Sequence, residues 1–296
     1  MTAPVFTNLV FEGGGVKGVA YVGALQALDE RGILPDVRGV AGTSAGAITA
    51  ALVAVGTTWE QLQQTLLQLD FTVFDDGGWD GPLRVVEKYG WYAGDAFHHW
   101  MQEQMKLHTG SADATFADVQ TRKGIDLRVV TTDLSVRGPK VLSASTTPDL
   151  PVALGVRMSM SIPFYFAAVD LHDVVYVDGG AVWNYPIEIF DQGRGPGHRR
   201  VGPGTDVHPA SLGFHLGLTT TPTPRSVHNL VGFTKCLYEA VMNVQADFFR
   251  MVDEDIRRTV FIDDLGLSAT DFAITPAQKK QLIENGYQAT AKYLVG

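Results

Sequence analysis

Three features of the sequence predict an α/β fold built on a mostly parallel sheet. The chain opens with two strand, glycine-rich turn, helix units. Asn8-Leu9-Val10-Phe11 runs into a glycine loop and an apolar-periodic stretch, and the β-branched run 37–41 runs into Gly42-Thr43-Ser44-Ala45-Gly46 and the apolar stretch 47–55. Short β-branched runs recur downstream, at 126–132 and 174–177, between segments of helical spacing. Finally, 296 residues with 45% hydrophobic and 19% charged side chains are globular in composition, and such a chain can bury roughly 75% of its unfolded surface. One domain over 1–296 is expected.

The first unit joins the buried strand 8–11 to Glu12-Gly13-Gly14-Gly15-Val16-Lys17-Gly18. Residues 19–31 follow, with Val22, Leu25 and Leu28 at helical spacing and Gly32 as the terminating glycine. Gly13, Gly15 and Gly18 satisfy the dinucleotide pattern G-x-G-x-x-G, but the second strand ends in Ala41-Gly42-Thr43-Ser44 rather than in the acid that would hold a ribose. The P-loop pattern fails, because no Gly-Lys-Ser/Thr follows. A third reading uses the exposed glycine amides to hold a developing oxyanion, with Lys17 as a local cation. In a parallel sheet this loop and the next share one carboxyl edge.

In the second unit Ser44 sits on a tight strand-to-helix turn, the arrangement of a nucleophile elbow. The flanking Gly42 and Gly46 allow close approach, and the new helix directs its positive end at the serine. Ordinary helix capping by a serine is the competing reading.

A helix is expected over 58–69, a turn-rich stretch over 74–82 and a helix over 94–106. Counting from Asp76, a calcium loop would find acids at Asp76, Asp80 and Glu87 and a glycine at Gly81, but Gly78 and Arg84 occupy two ligand places. Trp79, Trp91, Tyr92, Phe97 and Trp100 concentrate aromatics here; they read either as packing of a cap or as a lipid-facing lid over about 71–115.

Strands are expected at 126–132 and 139–143, a helix at 151–160, and a strand at 174–177 that ends in Asp178-Gly179-Gly180. An acid at a buried strand end before two glycines lies at a sheet edge; an Asx-type turn is its alternative. The stretch 193–204 reads as a loop with a basic cluster. A strand at 211–218, a helix at 226–251, a strand at 259–262 and a helix at 276–294 complete the chain, with Leu237, Val241, Val244, Phe248 and Val252 assigned to the core.

A net charge of −9 argues against nucleic acid and against broad electrostatic attachment to anionic lipid. Cys236 is the sole cysteine, so no intramolecular disulfide forms and a reducing compartment fits; no Cys/His cluster has metal spacing. The N-terminal residues lack the pattern of a secretory signal, and the longest small-apolar run, 45–56, is shorter than the ~20 residues of a membrane span. A cytoplasmic or membrane-peripheral protein is expected.

A conventional serine hydrolase needs a histidine after a strand near the C-terminus, and none of the eight histidines stands there. An aspartate within reach of the serine can serve as base directly. At this point the residues resemble a known family. Gly13-Gly14-Gly15-Val16-Lys17-Gly18, Gly42-Thr43-Ser44-Ala45-Gly46 and Asp178-Gly179-Gly180, in that order, look like the three signatures of patatin-like phospholipases. Met158 to Pro163, Asn184-Tyr185-Pro186 and Thr259 to Asp263 extend the likeness over nearly the whole chain. The resemblance implies a three-layer α/β/α fold with a mostly parallel sheet and a helical lid. It further implies a metal-free and cofactor-free lipid acyl hydrolase with Ser44 as nucleophile and Asp178 as base. Gly13, Gly14, Gly15, Lys17 and Gly18 would form the oxyanion hole, with lipid at a membrane surface or micelle as partner. Lys17 stands where the family more often has arginine. A Ser-His-Asp esterase or thioesterase, and a lipid-binding domain without turnover, are the alternatives.

Overall fold

The structure, a computed structural model, describes residues 6–78, 81–191, 194–195, 199–200, 210–217, 227–249 and 252–296. In chain order the first half holds β1 (Asn8–Phe11), a 3-10 turn (Gly15–Ala20), α1 (Tyr21–Glu30), β2 (Gly39–Thr43), α2 (Ala45–Ala54), α3 (Trp59–Gln68), α4 (Gly81–Lys88), β3 (Gly90–Tyr92), α5 (Asp95–Thr109) and α6 (Phe116–Lys123). Then come β4 (Asp126–Asp133), β5 (Gly138–Leu142), α7 (Val152–Ser159), β6 (Phe164–Phe166), β7 (Val169–Leu171) and β8 (Val174–Asp178). The short ribbon β9 (Arg194–Gly195) and β10 (Arg199–Arg200), β11 (Ser211–Leu216), α8 (Leu230–Phe249), α9 (Asp253–Arg257), β12 (Thr259–Ile262) and α10 (Pro276–Val295) close it.

Local chemistry sets several boundaries. Capping boxes at Thr58/Gln61, Thr115/Asp118 and Thr275/Gln278 open α3, α6 and α10, and left-handed glycines at 110 and 124 stop α5 and α6. The unforeseen α4 begins inside the turn-rich stretch, and the strand expected to reach 218 ends at Leu216. Trp79, Asp80, His198, His208 and the Phe248 side chain lie outside the described residues, as does most of the 193–204 loop.

Five strands run parallel in the order β12-β11-β1-β2-β4. Their residues are buried on both faces, which is why they read as continuous apolar runs. One face, with Leu9, Phe11, Val40 and Phe214, packs under α1, α2 and α10; the other, with Val10, Ala41 and Val130, is covered by Trp183, Tyr185, Ile187 and Ile189.

The edge of β4 positions the site. β5 pairs antiparallel with residues 129–133 of β4, so β2 and β8 share the opposite edge. β2 ends there with Thr43 opposite Val130, and β8, running the other way, ends with Asp178 opposite Thr131. Two strand ends therefore meet head to head, and the residues that follow them, Ser44 and Gly179, emerge side by side.

Candidate active site

Ser44 adopts φ 54° and ψ −122°, a conformation that costs a non-glycine residue roughly 1–3 kcal/mol and persists only where its surroundings enforce it. Enforcement comes from Ser159, whose Oγ accepts the Ser44 amide at 2.8 Å and donates to Val130 O at 2.5 Å. The Ser44 hydroxyl caps nothing in α2; its recorded contact is with Met160 Sδ at 3.7 Å. This is the behaviour of a displayed hydroxyl rather than of a helix cap. Because α2 begins at Ala45, its first amides have no intrahelical acceptor and face the serine's end of the helix.

Asp178 is fully buried at the end of β8, and its Oδ1 accepts the Gly180 amide at 2.7 Å. Burial pushes its carboxyl up to about 6. The Gly180 amide and the Ser44 and Tyr238 hydroxyls pull the other way, yet Oδ2 closes no hydrogen bond of normal geometry. The result is a buried carboxyl with one oxygen anchored by a backbone amide, the other without a well-formed hydrogen bond, and a serine hydroxyl close by. Such a group can accept a proton near neutral pH.

The glycine loop lies against the same point. Its conformation is held by Asn184, whose carbonyl accepts the Gly13 amide and whose Nδ2 donates to Gly13 O, both at 3.1 Å. A side chain at Gly13 would collide with Asn184 Oδ1 and press on Ser44 Cβ, so only glycine lets the loop approach the serine this closely. Within the loop the Val16 amide donates to Ala269 O and the Lys17 amide to Gly14 O, while those of Gly14 and Gly15 make no hydrogen bond among the described residues. Those two amides are the available donors for a substrate oxygen. Gly18 packs against Ala45 Cβ, joining the loop to the start of α2. The Lys17 ammonium is turned to Asp264, 2.8 Å away beyond β12, so its charge is locally neutralised.

Glu12 anchors the loop from behind. Its Oε1 accepts Asn184 Nδ2 at 3.0 Å and its Oε2 accepts the Leu216 amide at 2.6 Å. Burial pushes it up to about 8, against the opposing Lys17 charge and these hydrogen bonds.

The described histidines stand apart. His172 is exposed at the tip of the β7–β8 hairpin, at the far end of β8 from Asp178, and His215 is buried 3.4 Å from Glu12. Among the described residues none hydrogen-bonds Ser44, and none figures among the groups that perturb Asp178.

Gly42, Gly46 and Gly179 interlock around this turn: Gly46 backs onto Phe11 O, Gly42 onto Gly46, and Gly179 onto Val130 O. Gly180 lies under the Tyr238 hydroxyl, where a Cβ could not fit. The sequence alone assigns no role to Tyr238, Ser159 or Glu12. Ser159 and Asn184 fall inside the flanking segments of the family resemblance, whereas Tyr238 reaches the site from α8 with no local signal.

Asp76, offered as a calcium ligand, instead accepts the Gly94 and Ala96 amides at the start of α5. The region's aromatics pack inward: Phe74 stacks edge-on against Phe97 and Trp100, Trp91 lies over Gly81, and Tyr92 meets Tyr165. The core assignment in α8 is corrected, because Leu237, Val241 and Val244 are exposed.

A family model described as patatin-like phospholipase matches residues 9–191. The uncharacterized protein YqhO of Bacillus subtilis is 30% identical over 98% of this chain and 98% of its own length. Triacylglycerol lipase ptl3 of Schizosaccharomyces pombe is 33% identical over 56% of this chain, a match that spans 34% of that protein. Among solved structures, VipD from Legionella pneumophila superposes with a TM-score of 0.60 at 19% identity, covering 99% of this chain and 67% of VipD. ExoU of Pseudomonas aeruginosa, solved with SpcU, gives 0.54 at 21% identity, covering 99% and 54%. At these identities the likeness is one of fold.

Proposed function

The chain belongs to the patatin-like phospholipase family, a family of lipid ester hydrolases, and we propose that it is itself a lipid acyl hydrolase working through a Ser44–Asp178 dyad. The observation that carries this reading is the strained Ser44, whose hydroxyl caps nothing, beside a buried aspartate on which no histidine among the described residues acts. Ser44 attacks the ester carbonyl while Asp178 takes the hydroxyl proton. The carbonyl oxygen, gaining charge, is held by the Gly14 and Gly15 amides and the start of α2. Collapse of the tetrahedral species breaks the ester bond; the alcohol or lysolipid leaves with the proton from Asp178, and Ser44 keeps the acyl group. Water then gives a proton to Asp178, attacks the acyl-enzyme at the same hole, and releases the fatty acid as Ser44 regains its hydrogen. The substrate class is fatty-acyl esters of phospholipids or related glycerolipids, and the match to a protein named as a triacylglycerol lipase keeps neutral glycerolipids within it. The mechanism uses no metal or cofactor, so turnover is expected to persist in chelator.

A fluorophosphonate probe tests the assignment. Peptide mass spectrometry should find the label on Ser44, and Ser44→Ala should abolish both labelling and release of fatty acid from a lipid panel. Labelling elsewhere, with an active Ser44→Ala, overturns it.

A further inference from the structure

The helix that covers the site carries an apolar stripe on its outer side. Leu230, Phe233, Leu237, Val241 and Val244 recur at intervals of three and four along α8, so they form one stripe, and each is between 38% and 54% exposed. The flank of α8 beside this stripe turns inward, burying Thr234 and the Tyr238 ring, with the Tyr238 hydroxyl next to Asp178. A helix in water ordinarily buries its apolar stripe. The stripe carries no charge: the Lys235 ammonium donates to Thr270 O and lies over the Tyr165 ring, and Glu239 accepts from Ser268.

This same helix is tied to the catalytic candidates. Gln245 Nε2 donates to Gly180 O at 2.7 Å and its Oε1 accepts the Asn184 amide at 2.9 Å, while Tyr238 Oη stands over Gly180 beside Asp178. Val241 and Val244, with Ala181, Val182 and Ala240, line an open apolar groove directly outside Gly180. Whatever seats on the stripe is therefore brought against the wall of the site.

We propose that α8 is the docking helix by which the protein sits on an uncharged or zwitterionic lipid surface, its outer stripe entering the apolar layer. The proposal rests on the lipid-hydrolase reading for its purpose but not for its measurement. Charge selects this occupant. The stripe offers nothing to an anionic headgroup, and a chain of net charge −9 is repelled both by an anionic bilayer and by a second copy of itself. An uncharged stripe on such a chain is complementary to a surface without net charge.

The test replaces Leu230, Phe233 and Leu237 together by serine in a Ser44→Ala background, so that no vesicle is consumed, and follows flotation with phosphatidylcholine vesicles. The parent should float, and the triple variant should bind more weakly by roughly tenfold or more. Val136→Ser, which removes an exposed valine from the β4–β5 turn, should bind like the parent. Matched melting temperatures establish that the triple variant is folded; if it is not, Phe233→Ser alone should show the loss in smaller degree. With Ser44 restored, the ratio of vesicle to short-chain soluble ester hydrolysis should fall in parallel. Equal vesicle binding by the triple variant overturns the proposal. So does a parent that ignores phosphatidylcholine, or a dimer that the variant converts to monomer while vesicle binding stays. Because flotation needs no turnover, failure of Ser44 labelling and failure of docking are separately visible.

Discussion

Glu12 and Asp178 are both carboxylates at the carboxyl ends of buried strands, both buried, and both raised in pKa by that burial, yet they are wired differently. Each oxygen of Glu12 accepts a hydrogen bond, from Asn184 Nδ2 and from the Leu216 amide, so the group is a fastener. Only one oxygen of Asp178 accepts a backbone amide; Oδ2 is buried without a hydrogen bond of normal geometry, and the Ser44 hydroxyl lies close to the carboxyl. Burial alone does not make a carboxylate reactive. On the proposed dyad, an unfilled acceptor position beside Ser44 does.

The largest effect expected from this contrast lies in the two amide substitutions. Asp178→Asn preserves size but cannot take a proton, so activity should fall by roughly two to four powers of ten with the melting temperature held. Glu12→Gln keeps an acceptor for the Leu216 amide and should retain most activity. His172→Ala should be indistinguishable from the parent. A dead, folded His172→Ala beside an active Asp178→Asn would reverse the assignment and restore a conventional triad.

A smaller effect should follow truncation of the fastener. Glu12→Ala leaves the Leu216 N–H and one of the two Asn184 Nδ2 hydrogens unpaired in the interior, the other still donating to Gly13 O, at about 1–3 kcal/mol for each group left without a partner. Denaturant titration should show that loss, and activity should drop with it because the Gly13 to Gly15 amides lose their support. If Glu12→Ala is as stable as Glu12→Gln, the network is not holding the loop.

The smallest effect is in pH. Asp178 acts as a base only when ionised, so kcat/KM should rise with pH on an acid limb centred near 6. Stability should move oppositely. Both carboxyls have folded pKa values above their unfolded ones, so the native state holds extra protons and its stability declines as pH rises from about 4. The decline should continue to about 8 for Glu12 and to about 6 for Asp178. In Glu12→Gln the part between 6 and 8 should vanish while the kinetic limb stays, as urea midpoints across pH would reveal.

Much of this molecule was legible in the chain itself. The two opening strand, turn, helix units, the parallel sheet, the elbow at Ser44 and the acid at Asp178 are local patterns: β-branched runs, glycines where backbone must approach backbone, and a residue type at a strand end. Roles that depend on a neighbour distant in sequence were not. Nothing around Tyr238 reveals that its hydroxyl reaches Gly180, and nothing in Lys17 reveals its pairing with Asp264. The helical spacing of Leu237, Val241 and Val244 shows that they share one face but not that the face is exposed, because periodicity specifies which side chains lie together and not what they meet. By itself the sequence determined the elements, which side chains share a face, and the serine and aspartate proposed as the dyad. Only the tertiary structure decided that β2 and β8 meet head to head along β4, leaving one aspartate oxygen open, and that α8 turns its apolar side outward, since both depend on packing between segments far apart in the chain.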